Sequence, residues 1–331
     1  MKTPVTLKQL SQLLNLSIAT VSRALKDHPD ISIETKKKVR ELADVMDYEP
    51  NAYAISLKTN NSKEFGIIVP EISNYFYNYF IAAIEEEARR YGYSVIILQS
   101  GNDPLQEQEN IKRCRKSRVS GLFVSTISGT GDLAEFRKAE DSGIPVIFFD
   151  KVPTYASCNK VCVADEDAAI LAADAILTKN KQDILAIFGD INMSISSVRK
   201  EAFLNRIYEK GPGCKITVAE AKTSEEAYQK TVKVFKGKKR PDAVFCMSDE
   251  ILSGVMKAVQ FHKLNIPVDT GVIAISNGFI PQLYYPEITY AETSGFKLGK
   301  LAFARMMACL AGSTFMQTIK SESVLVTGNS L

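Results

Sequence analysis

The chain has 331 residues, 45% hydrophobic and 24% charged, with a formal net charge of +3. At about 100–200 residues per domain this is two or three folded units of ordinary globular composition, able to bury a core without disulfides or metal. Residues 1–63 hold ten Lys/Arg against seven Asp/Glu, so the basic excess sits in the first fifth of the chain, a mild pointer to nucleic acid that also fits a solvated surface.

Met1-Lys2-Thr3-Pro4 leads into polar sequence without an apolar leader region, and no apolar run reaches the about 20 residues that span a bilayer, so a cytoplasmic protein without membrane contact is expected. Thr6 ahead of Leu7, with Gln9 three residues on, is a capping-box pattern and predicts a helix from about residue 7, with Leu7, Leu10 and Leu14 on one face. Asn15, which tolerates positive φ, breaks it at a tight turn. Ser17 then caps a second short helix to about Lys26, with Val21 and Leu25 inward, and Ser32 caps a third that buries Val39, Leu42, Ala43 and Met46. Two short helices joined by a tight turn, plus a packing helix, describe a helix-turn-helix unit whose second helix lies in the major groove. The outward residues of that helix are Ile18, Ala19, Ser22 and Arg23, with Ser17 and Thr20 near its amino end. Arg23 suits a bidentate contact to guanine, Ile18 and Ala19 suit thymine methyl groups, and Ser17, Thr20 and the helix amino end suit phosphates. On pattern alone, a plain three-helix bundle with an exposed arginine fits these residues too, and a unit of this size has a marginal core.

Pro50 stops the third helix and can open another. Asn51 to Lys58 is helix-compatible but falls short of the about 12–15 residues that are helical alone, so it forms when something holds it; a plain linker is the alternative. Thr59 to Lys63 reads as polar linker.

The run Thr6-Leu7-Lys8-Gln9-Leu10, the core Ser17-Ile18-Ala19-Thr20-Val21-Ser22-Arg23 and the close Tyr48-Glu49-Pro50-Asn51 resemble the lactose/galactose-repressor family of bacterial transcription regulators. Leu14-Asn15 stands where the family usually has Ala-Gly, and Asp47 where it usually has Gly, both at turns outside the reading helix. The resemblance implies DNA contacts from Thr6, Ser17, Ile18, Ala19, Thr20, Ser22 and Arg23. It also implies a hinge helix in which Asn51 and Tyr53 join those contacts, Leu57 wedges between central base pairs in the minor groove, and Lys58 approaches the backbone. Such wedging costs about a few kcal/mol per unstacked step, shared between the two hinges of a homodimer on a palindromic operator.

From Phe65 the pattern alternates strand and helix. Strand candidates are Phe65–Val69, Ser94–Leu98, Gly121–Ser125, Pro145–Phe149, Asp183–Phe188, Lys215–Ala219, Ala243–Met247 and Val272–Ile275, with amphipathic stretches such as Ile81–Tyr91, Glu107–Arg118, Ala168–Leu177, Arg199–Tyr208 and Ile251–Phe261 between them. Apolar strands alternating with helices predict parallel sheets covered on both faces. The rhythm breaks over Lys151–Val163 into a Pro/Cys/Asn-rich loop before a second α/β run, so two doubly wound lobes are expected, with ligand at the carboxyl ends of their strands in a cleft that can close. The resemblance implies lobes of periplasmic-binding-protein type, with the chain crossing between them three times and Gly295–Leu310 returning to the first. The expected α/β organisation is a three-helix helix-turn-helix head over 1–49, a hinge helix and linker over 50–63, and an effector-binding and dimerisation body over 64–331. Its first lobe takes about 64–162 and 293–320, its second about 163–292 and 321–331.

Little in the chain points to catalysis. Val69-Pro70-Glu71-Ile72-Ser73-Asn74 follows the first strand without a Gly-x-Gly-x-x-Gly, and there is no Walker loop or Gly-x-Ser-x-Gly elbow. The two histidines, His28 and His262, lie far apart. Several of the six cysteines sit in apolar runs and read as reduced core residues, and Cys158 and Cys162 have no second Cys/His pair to make a zinc site. No enzyme activity, cofactor or metal is expected.

For the effector site, the resemblance implies that Phe76 and Tyr77 line the cleft, that Arg199 hydrogen-bonds the effector from a helix start, and that Asp150 lies nearby at a strand end. One of the two rings fits core packing equally, Arg199 fits a plain exposed arginine, Asp150 fits a loop cap, and sugars and purines both stack on such rings. Ser248 is a pocket candidate, with Asp249 as the cap of the next helix. Asn277 stands where the family usually has Asp. An amide accepts on one side and donates on the other, and the change leaves the cleft less negative beside Arg199, which predicts preference for a carboxylated or phosphorylated sugar over a neutral one. The expected partners are a double-stranded DNA operator, a sugar or sugar derivative, and a second copy of the chain, in a ligand-responsive regulator that represses sugar-utilisation genes. The competing reading is a periplasmic-type sugar-binding protein without a transcriptional role.

Overall fold

A computed structural model describes residues 5–49, 62–127, 133–153, 157–237 and 239–331. The chain divides into two compact units between Ser62 and Lys63.

In the first unit, polar caps set the helix starts and a handful of apolar side chains hold the helices together. Helix α1 (Leu7–Leu13) opens on the full capping box, with Thr6 N–H donating to Gln9 Oε1 at 2.8 Å and Gln9 N–H to Thr6 Oγ1 at 3.3 Å. Helix α2 (Ile18–Leu25) is capped by Ser17, and α3 (Ile33–Val45) by Ser32. Leu10, Val21, Ala24, Val39 and Ala43 form the buried centre. Asn15 and Asp47 adopt φ of 53° and 51°. Both are among the few L-residues that tolerate the left-handed region, which accounts for side chains standing where the resemblance leads one to expect glycine. Asp27, at φ 57°, ends α2 and is pinned to α3 by Arg40 at 2.9 Å and Lys36 at 3.3 Å.

The second unit begins with β1 (Glu64–Val69), α4 (Tyr75–Arg90), β2 (Ser94–Gln99), α5 (Pro104–Lys116), β3 (Gly121–Val124), α6 (Ala134–Asp141), β4 (Val146–Phe149) and β5 (Asn159–Val163). The chain then crosses and repeats the pattern with α7 (Asp165–Thr178), β6 (Asp183–Phe188), α8 (Ser194–Lys210), β7 (Lys215–Glu220), α9 (Ser224–Phe235), β8 (Ala243–Cys246), α10 (Asp249–Phe261), β9 (Gly271–Ser276) and β10 (Thr289–Glu292). Helix α11 (Gly295–Leu310) and β11 (Thr318–Ser321) return to the first lobe, and β12 (Leu325–Val326) ends in the second.

Each lobe is built on a six-stranded sheet, ordered β11-β5-β4-β3-β1-β2 in the first and β12-β10-β9-β8-β6-β7 in the second. All pairings are parallel except β10 with β12. Helices cover both faces, so the central strands are buried end to end, whereas the edge strands β2 and β7 alternate in exposure. Phe80 on α4 stacks on Phe149 at the end of β4 with ring centroids 3.6 Å apart, and α11 lies close along α4, where a Cβ at Gly299 would come within 2.6 Å of the Ala83 Cβ.

The stretch expected as a loop up to Val163 contains β5, and β10, β11 and β12 lie outside the eight expected strands. Strand β5 escapes a hydropathy reading because it buries Asn159 and Lys160. Asn159 Oδ1 accepts from Arg305 Nε at 2.8 Å, and Lys160 N–H donates to the Gln317 carbonyl at 2.8 Å. The Asn159 side chain and the Lys160 backbone are thus satisfied by segments from the far end of the chain, which no local pattern reveals. No disulfide joins the six cysteines, and burial pushes the Cys114 and Cys162 thiols up to about 12. No helix among the described residues is long and apolar enough to cross a membrane.

Candidate functional site

The head offers one polar and apolar face along α2. Ile18 is 49% exposed, and Ala19, Arg23 and Ser17 are also exposed, while Ser22 and Thr20 are half-buried. Ser17 Oγ accepts from the Thr20 backbone N–H at 3.0 Å and shares a 2.8 Å hydrogen bond with Thr20 Oγ1. Thr6 is exposed at the start of α1, so two capped helix amino ends carry polar side chains open to solvent. Such ends favour phosphate oxygens. Arg23 forms no ion pair among the described residues, which leaves its guanidinium available to a base edge. Asn51, Tyr53, Leu57 and Lys58 lie outside the described residues.

In the body, strand order reverses at corresponding places, β2-β1-β3 in one lobe and β7-β6-β8 in the other. Loops leaving adjacent strands diverge at such a switch point and open a crevice at the carboxyl ends. A cavity of about 430 Å³ lies there, within the range that takes a small molecule. Its wall includes Pro70 and Glu71 after β1, Asp150 after β4, Gly189 and Asp190 after β6, Ser248 after β8 and Asn277 after β9. Phe76, Tyr77, Asp150, Arg199, Ser248 and Asn277, all anticipated from sequence, lie along this one cavity.

Phe76 is placed by the first turn of α4, its N–H held by Asn74 Oδ1 at 2.9 Å. Tyr77 is core and cavity wall at once: its ring meets Phe149 edge-on, and its hydroxyl donates to Asp150 Oδ2 at 2.9 Å and shares a 3.0 Å bond with Ser125 Oγ. Asp150 sits at φ 57°, turning the chain out of β4 so that its carboxyl faces Tyr77. Arg199, 6% exposed in α8, donates from Nε to Asp165 Oδ1 at 2.7 Å and from Nη1 to the Met247 carbonyl at 2.8 Å. It is therefore a buried, paired strut rather than an exposed arginine.

The capping roles after β8 are the reverse of the expectation. Ser248 is the cap of α10, its Oγ accepting from Ile251 N–H at 3.4 Å. Asp249 reaches across to the end of β9, where it accepts from Ser276 Oγ and, at 3.1 Å, from the Asn277 backbone N–H. Ser is a cap of comparable strength to Asp, which frees the carboxylate for this cross-link. Asp165 and Ser125 are not singled out in the sequence, and Asp249 is marked there only as a helix cap. Their roles depend on partners distant in the chain, and nothing local to them marks it.

The lining does not favour the anionic effector expected from Asn277. The Arg199 charge is met by Asp165, with Nη2 at 2.6 Å, and Lys222 by Asp190 at 2.7 Å. That leaves Glu71, Asp150, Asp249 and Glu250 in the wall against Lys151. Burial pushes the carboxyls of Asp150, Asp249 and Glu250 above their usual range. A ligand carboxylate or phosphate would add like charge to a wall already short of cations.

A helix-turn-helix head in a chain with a two-lobed α/β binding body defines a class, that of DNA-binding regulators with a body of periplasmic-binding-protein type. Residues 65–314 match the family described as periplasmic binding protein domain, and residues 6–51 that of the bacterial regulatory proteins of the lacI family. The chain belongs to the lacI family and is a DNA-binding transcription regulator. It is 26% identical over 304 residues to the HTH-type transcriptional repressor PurR of Vibrio atlanticus, covering 90% of each chain. It is 25% identical over 301 residues to catabolite control protein A of Priestia megaterium, again covering 90% of each. Its fold matches the crystal structure of the Lac repressor dimer bound to operator and the anti-inducer ONPF, with a TM-score of 0.88 at 20% identity over 99% of both chains.

Proposed function

We propose that this regulator is a repressor of sugar-utilisation genes, that it binds a palindromic operator as a homodimer, and that a sugar or sugar derivative held between its lobes sets its grip on DNA. The observation that carries this reading is the polar, aromatic-edged cavity between the switch points of the two lobes, in a chain that also presents the α2 face. Phe76 offers a half-buried ring, and the surrounding carboxylates and amides suit hydroxyl groups, so the effector is a neutral or positively charged molecule of sugar size. The protein acts by binding in the cytoplasm, without catalysis. Ligand works through its unequal affinity for open and closed lobes, and the hinge at residues 50–63, with Leu57 as its wedge, passes the change to the heads.

In this reading Arg23 discriminates a base pair, Ile18 and Ala19 contact thymine methyls, and Thr6, Ser17, Thr20 and Ser22 hold the backbone. The head disfavours a periplasmic sugar-binding protein, which has no use for one. A gel-shift assay of the full chain on the DNA upstream of its own gene tests the proposal. The expected result is a complex that random duplex does not displace, that weakens steeply with salt, and whose affinity changes with one member of a sugar panel. A complex equally displaced by random duplex, with and without sugars, would overturn it.

A further inference from the structure

We propose that Asn277 is a two-ended positioning residue that couples the occupant of the cavity to a crossing between the lobes; this rests on the reading of the cavity as the effector site. Asn277 follows β9 in the second lobe, and its Oδ1 accepts from the Gly295 N–H at 2.8 Å. That bond fixes which way the amide faces. Gly295 is the first residue of α11, where the chain has just returned to the first lobe. The crossing is held again one residue earlier on β9, where the Thr293 N–H donates to the Ser276 carbonyl at 2.8 Å. On its other side Gly295 packs so closely on the Phe76 carbonyl oxygen that a Cβ would collide with it. Asn277, Gly295 and Phe76 thus form an unbroken contact from one wall of the cavity to the other.

The free end of the amide completes the device. Asn277 Nδ2 is buried, with no hydrogen-bond partner among the described residues, and Asn277 lines the cavity. A buried donor without a partner is costly, so an occupant that brings an acceptor, such as a ring or hydroxyl oxygen, is favoured at this point. An acceptor on Nδ2 polarises the amide and strengthens the bond that Oδ1 accepts from Gly295. Filling the cavity then tightens the crossing, and emptying it loosens the crossing. An aspartate here would keep the bond to Gly295 but offer the cavity an acceptor in place of a donor.

Hydrogen exchange on the full-length protein tests both ends. Asn277→Ala is expected to speed exchange of the Gly295 amide about tenfold or more, and Asn277→Asp to restore it, while Ile273 and Ile275 in β9 keep their protection as a control for folding. Unchanged exchange in Asn277→Ala, or an Asn277→Asp variant as fast as Asn277→Ala, overturns the latch. If Asn277→Ala loses β9 protection, Asn277→Gln, which displaces the oxygen by one methylene, takes its place, and slow exchange at Gly295 there contradicts the proposal. Adding D-ribose, D-glucose, D-galactose and D-fructose together reads the cavity end. A rise in melting temperature with slower Gly295 exchange in the wild type, but not in Asn277→Asp, supports the relay, and the same rise without slowing overturns it. No rise in the wild type counts against the sugar-effector reading, while the latch stands or falls on the alanine and aspartate comparison.

Discussion

In the head, the described residues offered to DNA run from Thr6 to Arg23 and are placed by two neighbouring helix starts, whereas the body draws Phe76, Asp150, Arg199, Ser248 and Asn277 into one cavity from segments spread along most of its length. The head keeps Thr6, Ser17, Ile18, Ala19 and Arg23 exposed, on a core centred on Leu10, Val21, Ala24, Val39 and Ala43. The body buries charges and must satisfy each with a partner, as Arg199 with Asp165 and Asp249 with the Ser276 hydroxyl. A local site is robust to distant change and open to reading from sequence; an assembled site is neither, but it can respond when its parts shift.

Breaking one buried pair should give the largest effect. Arg199→Ala leaves the half-buried Asp165 without its cation, and breaking a fully buried pair costs about 3–5 kcal/mol, an upper bound for this one. The body's melting transition in calorimetry is expected to fall accordingly, and the sugar response in a gel shift to disappear, while the head still binds DNA. A normal sugar response in this variant would remove Arg199 from the site. Leu10→Ala is the matching test on the other side. Emptying this position costs about 2–5 kcal/mol, more than so small a core can lose, so helicity of the head should melt near room temperature with the body's transition unmoved. Equal loss in both transitions would show that the two regions do not behave separately.

Smaller effects sharpen the comparison. Arg23→Ala should remove about 1–3 kcal/mol of discrimination at one symmetric pair of base positions, seen as a flattened preference there in competition binding, with non-specific affinity little changed. The pH dependence of the body should be weaker but opposite to that of salt-bridged surface acids. Burial raises the Asp150 carboxyl above its usual value of 3.8. Such a group contributes its stability below the ordinary aspartate range, and that contribution is lost as pH climbs through the raised value. Asp150→Asn should therefore flatten the decline in body melting temperature from about pH 4 to neutrality. A decline identical to wild type would place the titration elsewhere.

How far each region could be read from sequence follows the same division. The three head helices, their caps at Thr6, Ser17 and Ser32 and the turn at Asn15 were legible because each depends on residues a few positions apart. The buried strands of the body stood out as apolar runs, but β5 did not, because it buries Asn159, whose side chain is met by Arg305 from the far end of the chain, and Lys160. The resemblance located Arg199 but not Asp165, whose pairing converts that arginine from a free cation into a neutralised strut and removes the cation on which the expected charge preference rests. In sequence Asn277 is visible only as a change in charge; its structural consequence, one end fixed by Gly295 and the other left open, depends on a contact across the crossing.

The central claim, that a metabolite-sensing body governs a sequence-reading head, is tested most directly by selecting duplexes from a random pool with the full-length protein at about physiological salt, with and without the sugar panel. The account predicts enrichment of an inverted repeat with half-sites spaced by about one helical turn, and a yield that changes when one of the sugars is present. Recovery of no inverted repeat under either condition would contradict it.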